Sequence, residues 1–158
     1  MNFDKAFELL ISHEGGLVSN PKDPGGLTKY GISQRQYPNL DIANLTLPEV
    51  KELYKRDFWD RAQCDKMHPD LAFDVFDAAV NSGIGQAIRW LQRSVNVADD
   101  GVIGPLTLAA VQRLDDTSAI RARFSGHRLE FMSRLSTFDV FGRGWTRRVA
   151  ANLQKVGS

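Results

Sequence analysis

Glu14, Asp23 and Thr28 are the residues whose types and spacing could do chemistry. Glu14 precedes Gly15-Gly16. Asp23 opens the run Asp23-Pro24-Gly25-Gly26-Leu27-Thr28-Lys29-Tyr30-Gly31-Ile32. Glycoside hydrolysis needs a proton donor for the leaving oxygen, and its inverting form also needs a base that holds water on the opposite face. Glu14 suits the first role because it follows an amphipathic helix, whose free carbonyls disfavour a nearby carboxylate. Partial burial would act in the same direction and keep the proton available near neutral pH. A turn at Pro24-Gly25-Gly26 could fold Asp23 back across a groove toward Glu14. Plainer readings exist for each: a surface Glu, an Asp bonding its own turn, and a Thr in a short strand.

A second set could touch a sugar. Tyr30, Tyr54 and Trp59 are aromatics suited to the apolar face of a pyranose ring, or to ordinary packing. Asp77 and Asn81 stand four apart and share a helix face, where they could bond sugar amides or hold the neighbouring loop. Arg147 and Arg148 could meet anionic groups or form local ion pairs. His13, His68 and His127 lie apart and match no His-Glu-x-x-His pattern, so neither a catalytic metal nor any other cofactor is expected. His13 itself reads as incidental. Asp99-Asp100-Gly101 lacks the EF-hand ligand series and reads as a turn. Cys64 reads as a buried or idle thiol.

The elements that must position these residues are mainly helical. Asn2 caps a first helix with Phe3, Phe7, Leu10 and Ile11 on one stripe, and Gly15-Gly16 is expected to end it. Residues 17–41 show no helical period and predict a small hairpin or glycine-rich loop. Thr46-Leu47-Pro48-Glu49 is a capping box, with Leu45 and Val50 placed as its hydrophobic staple. Pro69 opens a helix that Asn81-Ser82-Gly83 stops, and a further helix covers Ile84 to Val95. Residues 99–105 form a connector to a helix with Leu106, Leu108, Ala109 and Leu114. A long helix runs from Ser118 to Leu135 with Ile120, Phe124 and Phe131 buried. Phe141-Gly142-Arg143-Gly144 then breaks the pattern before a last helix with Trp145, Val149 and Leu153.

At 158 residues, 42% hydrophobic and 25% charged, the chain can bury a core without staples, and its lone cysteine forbids an internal disulfide. Its formal charge of +1 hides a division: residues 1–79 carry 9 Lys/Arg against 13 Asp/Glu, and residues 80–158 carry 11 against 6. The basic excess, from Arg121 to Arg148, could steer the protein toward a polyanion or simply be a solvated helical surface. Repeats are absent, as is an apolar run long enough for a bilayer. The first residues lack the pattern of a signal peptide.

The spaced motifs agree in order with one family. The segment from Glu14 to Ile32 resembles the signature of glycoside hydrolase family 108, bacterial and phage N-acetylmuramidases. Phe76-Asp77-Ala78-Ala79-Val80-Asn81-Ser82-Gly83 resembles that family's helix end, and residues 141–148 resemble its closing Gly-Trp-x-x-Arg signature. Leu91-Gln92 with residues 100–107 is similar to a peptidoglycan-binding region. The resemblance implies a single lysozyme-like catalytic domain over 1–158, with the catalytic motifs in 1–83 and a helical half resembling a wall-binding region in 84–158. It implies a compact helical lysozyme-like fold with a small loop or β-hairpin beside the active site. It also implies cleavage of the β-1,4 bond between N-acetylmuramic acid and N-acetylglucosamine, with Glu14 as acid. Phage-type lysozymes are similar more loosely, and their Glu, Asp and Thr triad falls on Glu14, Asp23 and Thr28. Expected partners are peptidoglycan glycan strands and, indirectly, a holin or other export partner, with no specific nucleic acid. The expected protein is a monomer, made in the bacterial cytoplasm and acting on the wall after release. A non-catalytic wall-binding module and a lytic transglycosylase are the alternatives.

Overall fold

The computed structural model describes residues 1–13, 18–19 and 26–155. Helix α1 (Phe3–Ile11) starts where Asn2 Oδ1 accepts the Lys5 amide at 3.0 Å, and it buries Phe3, Ala6, Phe7 and Leu10. The helix stops at Ile11, ahead of the expected glycines: Ser12 turns its hydroxyl back onto the Leu9 carbonyl at 2.6 Å, and the His13 amide closes a tight turn onto Leu10. Three short antiparallel strands follow in sheet order: β1 (Val18–Ser19), β2 (Leu27–Lys29) and β3 (Ile32–Ser33). Thr28 pairs with Val18 on one side and Ser33 on the other.

The β2–β3 turn places Tyr30 and Gly31 at φ of 50° and 80°. Positive φ at both central residues is what a tight hairpin turn demands, and it is costly for a tyrosine. A bond from the buried Tyr54 hydroxyl to the Tyr30 carbonyl, 2.5 Å long, holds this corner against the helices. Tyr54 ends helix α2 (Leu47–Tyr54), whose start is the capping box Thr46/Glu49, with Leu45 and Val50 both buried beneath it. A π-helical turn (Lys55–Trp59) follows directly and brings the adjacent residues Phe58 and Trp59 both inward.

Helix α3 (Pro69–Ser82) runs through the centre of the molecule, buried continuously from Leu71 to Ala79. Gly83, at φ of 93°, ends it and starts α4 (Ile84–Ser94) in one step. Phe3, Tyr54 and Trp59 meet Phe76 of α3 edge to face, at centroid separations of 5.9, 6.3 and 5.4 Å. The apolar core continues past Gly83 without interruption through Ala87, Ile88, Trp90 and Leu91 to Ile120 and Phe124. Trp59 and Tyr54 thus belong to the packing, with Trp59 1% and Tyr54 0% exposed. Cys64 is buried as well, and that burial pushes its thiol pKa up and leaves it protonated.

Gln92 organises the connector ahead of helix α5 (Pro105–Gln112): its amide nitrogen bonds Asp100, Val102 and Thr107, and its oxygen accepts from Gly101. The aspartates there are therefore turn residues, Asp100 tied to Gln92 and Asp99 to Arg93. Helix α6 (Ser118–Ser133) buries Ile120 and Phe124 as expected. Phe131 is a correction: it is 37% exposed and touches Trp90 by its edge. The larger correction is α7 (Phe138–Gln154), which runs unbroken through Gly142 and Gly144. Gly142 is buried beneath the Phe138 ring, where an added Cβ would lie 2.5 Å from ring carbons. The glycine lets that ring lie on the helix, and ring contacts with Trp145 from Phe138 and Phe141 supply packing that offsets poor helix propensity.

Candidate active-site groove

Helix α3 carries Asp74, Asp77 and Asn81 on one stripe, and α6 answers with Arg121 and Arg128. Asp74 accepts two bonds from Arg121, at 2.6 and 3.2 Å. Asp77 is fully buried and accepts from Arg128 Nη1 at 2.7 Å, Arg148 Nε at 2.9 Å and Asn152 Nδ2 at 2.8 Å. One carboxylate therefore joins α3, α6 and α7. Burial alone would raise its pKa, but Arg128 and Arg148 outweigh that effect and hold the carboxyl below its ordinary range. Asp74 has one guanidinium partner, and burial pushes it up to about 6.

Over this hub lies an open groove of about 530 Å³, lined by His13, Asn81, Gly144, Trp145, Arg147, Arg148 and Ala151. Three elements meet there: the residue stretch just past α1, the last turn of α3, and the glycine-containing face of α7. His13 is held near Lys155, with Nε2 and Nζ 3.4 Å apart. Asn81 Oδ1 accepts from Arg128 Nη2 at 3.2 Å, so the groove wall is fixed from beneath by the hub. A second hollow of about 420 Å³ shares Arg147 with the groove and adds Phe138, Asp139, Arg143 and Thr146. An aromatic ring, an amide and guanidiniums along one trough suit a polar ligand with flat apolar faces.

Of the residues singled out from sequence, Asn81 lines the groove. Asp77 does not: with 0% exposure and both oxygens engaged, it serves as an ion-pair anchor beneath the groove rather than a ligand contact. Thr28 and Tyr30 lie half-buried on the hairpin, outside the lining of this groove. Glu14 and Asp23 fall outside the described residues; Glu14 is next in sequence after His13. Sequence reasoning passed over His13 as incidental and did not single out Arg128. A signal for Arg128 was present in the matching helical spacings of Asp74/Asp77/Asn81 and Arg121/Arg128. The basic stretch is likewise partly internal: Arg121 and Arg128 are buried in ion pairs, whereas Arg134 pairs with Glu130 at the surface.

Comparisons with known proteins agree with this layout. The family model Glycosyl hydrolase 108 matches residues 7–83, and the model Predicted Peptidoglycan domain matches residues 86–150. The chain is similar to a solved structure from Brucella abortus, that of SagA, at 34% identity and a TM-score of 0.89, with 97% of this chain and 92% of that one covered. No curated protein matches the chain. Family matches that meet on either side of Gly83, together with likeness to one solved chain over nearly the whole length, place this chain in the glycosyl hydrolase 108 family, with a function of the peptidoglycan-hydrolase type.

Proposed function

We propose that the protein is an N-acetylmuramidase that cuts the β-1,4 bond between N-acetylmuramic acid and N-acetylglucosamine in peptidoglycan. Glu14 protonates the leaving oxygen. Asp23 activates water on the opposite face, giving inversion, and Thr28 helps to orient that water; the two carboxyls of such a pair stand about 6.5–9.5 Å apart. Asn81 contacts the glycan, and Tyr30 contributes from the hairpin side. The observation that carries the reading is the groove itself: His13, the neighbour of Glu14 in the chain, lines it together with Asn81 and Trp145. This chemistry needs a proton donor next to the site that holds the glycan, and sequence adjacency to His13 is what supports Glu14 in that role. The setting we propose is release of the monomeric enzyme onto the wall from the bacterial cytoplasm, as in phage or prophage lysis.

Product mass spectrometry on purified peptidoglycan tests the assignment. Wild type is expected to create reducing N-acetylmuramic ends, and Glu14→Gln is expected to lower the rate by at least about a hundredfold, the scale of a lost general acid. Anhydromuramic ends would make the enzyme a lytic transglycosylase. No cleavage by folded wild type would reduce it to a wall-binding module.

A further inference from the structure

Asn81 faces two ways. Its side-chain oxygen takes Arg128 Nη2 at 3.2 Å, and Arg128 is itself buried, 3% exposed at its side chain and bonded to Asp77 at 2.7 Å. A guanidinium only donates hydrogen bonds. Turning the Asn81 amide over would set its NH2 against another donor and leave a partly buried clash. The oxygen must therefore face Arg128. The NH2 bonds no described residue and is not among the buried unpartnered atoms, and it belongs to a residue that lines the groove. A free asparagine could serve as donor or acceptor; this one is committed to donating.

We propose that Arg128 is a positioning residue that fixes the Asn81 amide, and that the donor thus presented takes the acetamido carbonyl of an N-acetylated sugar. This rests on the glycan-cleaving reading and names the group of the substrate that the groove selects. An amide carbonyl is the strongest neutral acceptor on such a sugar, and Trp145 in the same groove is an aromatic of the kind that packs on a pyranose. Removing the acetyl group replaces that acceptor with an ammonium, a donor that meets Asn81 head-on.

The test is titration calorimetry of the full chain carrying Glu14→Gln, with peptidoglycan glycan fragments either N-acetylated or chemically de-N-acetylated. The expected preference for the acetylated form is about tenfold or more, the scale of one matched against one mismatched bond in a site built for it. Adding Asn81→Asp should erase or reverse the preference while leaving Tm unchanged or higher, because the carboxylate keeps Arg128 as its partner. Arg128→Gln, whose amide can donate or accept, should narrow the preference, and the donor-only Arg128→Lys should retain it. An unchanged preference in folded Asn81→Asp overturns the proposal, as does the absence of binding to either fragment. Wild-type cleavage is scored separately. Cleavage with an unaltered preference in Asn81→Asp removes this inference and keeps the hydrolase reading; the converse result removes the hydrolase reading and keeps the donor.

Discussion

Asp74 and Asp77 sit one helical turn apart on α3 and share a setting, yet their protons behave oppositely. Asp77 has two guanidiniums and is held below the carboxylate range, while Asp74 has one and is pushed up to about 6. An acid whose folded pKa lies above its unfolded value near 3.8 binds its proton more tightly when folded. Its contribution is therefore fully present below pH 4 and is lost as pH rises through about 6. Thermal melts of wild type and Asp74→Asn across pH 4–7 should show this: the stability of wild type relative to the variant is expected to fall steadily over that window. A flat difference would place Asp74 in an ordinary ionised pair with Arg121.

Two of the helical glycines, Gly126 and Gly142, separate propensity from packing. A Cβ on Gly126 of α6 meets nothing within 4 Å, so Gly126→Ala should raise stability by about 0.5–1 kcal/mol, the helix-propensity difference. On Gly142 the same atom collides with the Phe138 ring, which would have to leave its place against Trp145. Gly142→Ala is expected to lower the denaturation midpoint despite the identical gain in propensity. This contrast also explains which elements could be read in advance. Thr46 and Glu49 cap α2 through their own side chains, and Asn2 and Pro69 mark helix starts for local reasons, so sequence carries them plainly. Gly142 and Gly144 read as a break because the sequence does not show that a ring lies on the first of them. The π-helical turn at Lys55–Trp59 left no local mark either. The groove was legible at Asn81, Arg147 and Arg148, whereas His13 and Arg128 acquire meaning through partners 142 and 47 residues away.

Across the whole molecule, the two matched family regions share one core and one polar hub. Asp74 and Asp77 lie in the first region and their arginine partners in the second. The regions should therefore melt together. Asp77→Ala takes the shared carboxylate away from Arg128, 3% exposed at its side chain, and from the largely covered Arg148, a change on the order of 3–5 kcal/mol. It should lower the midpoint reported by Trp59 in the first region and by Trp90 in the second by the same amount. Two separated transitions in calorimetry would instead show that the regions fold independently. The hub's burial also divides the protein's charges by their response to ionic strength. Counter-ions reach Arg143 and Arg147 at the surface but not the bonds of Arg128 at 3% exposure. Salt that screens these surface charges therefore leaves the ionic joints inside the molecule intact, so its outer electrostatics can be weakened under conditions where the architecture holds.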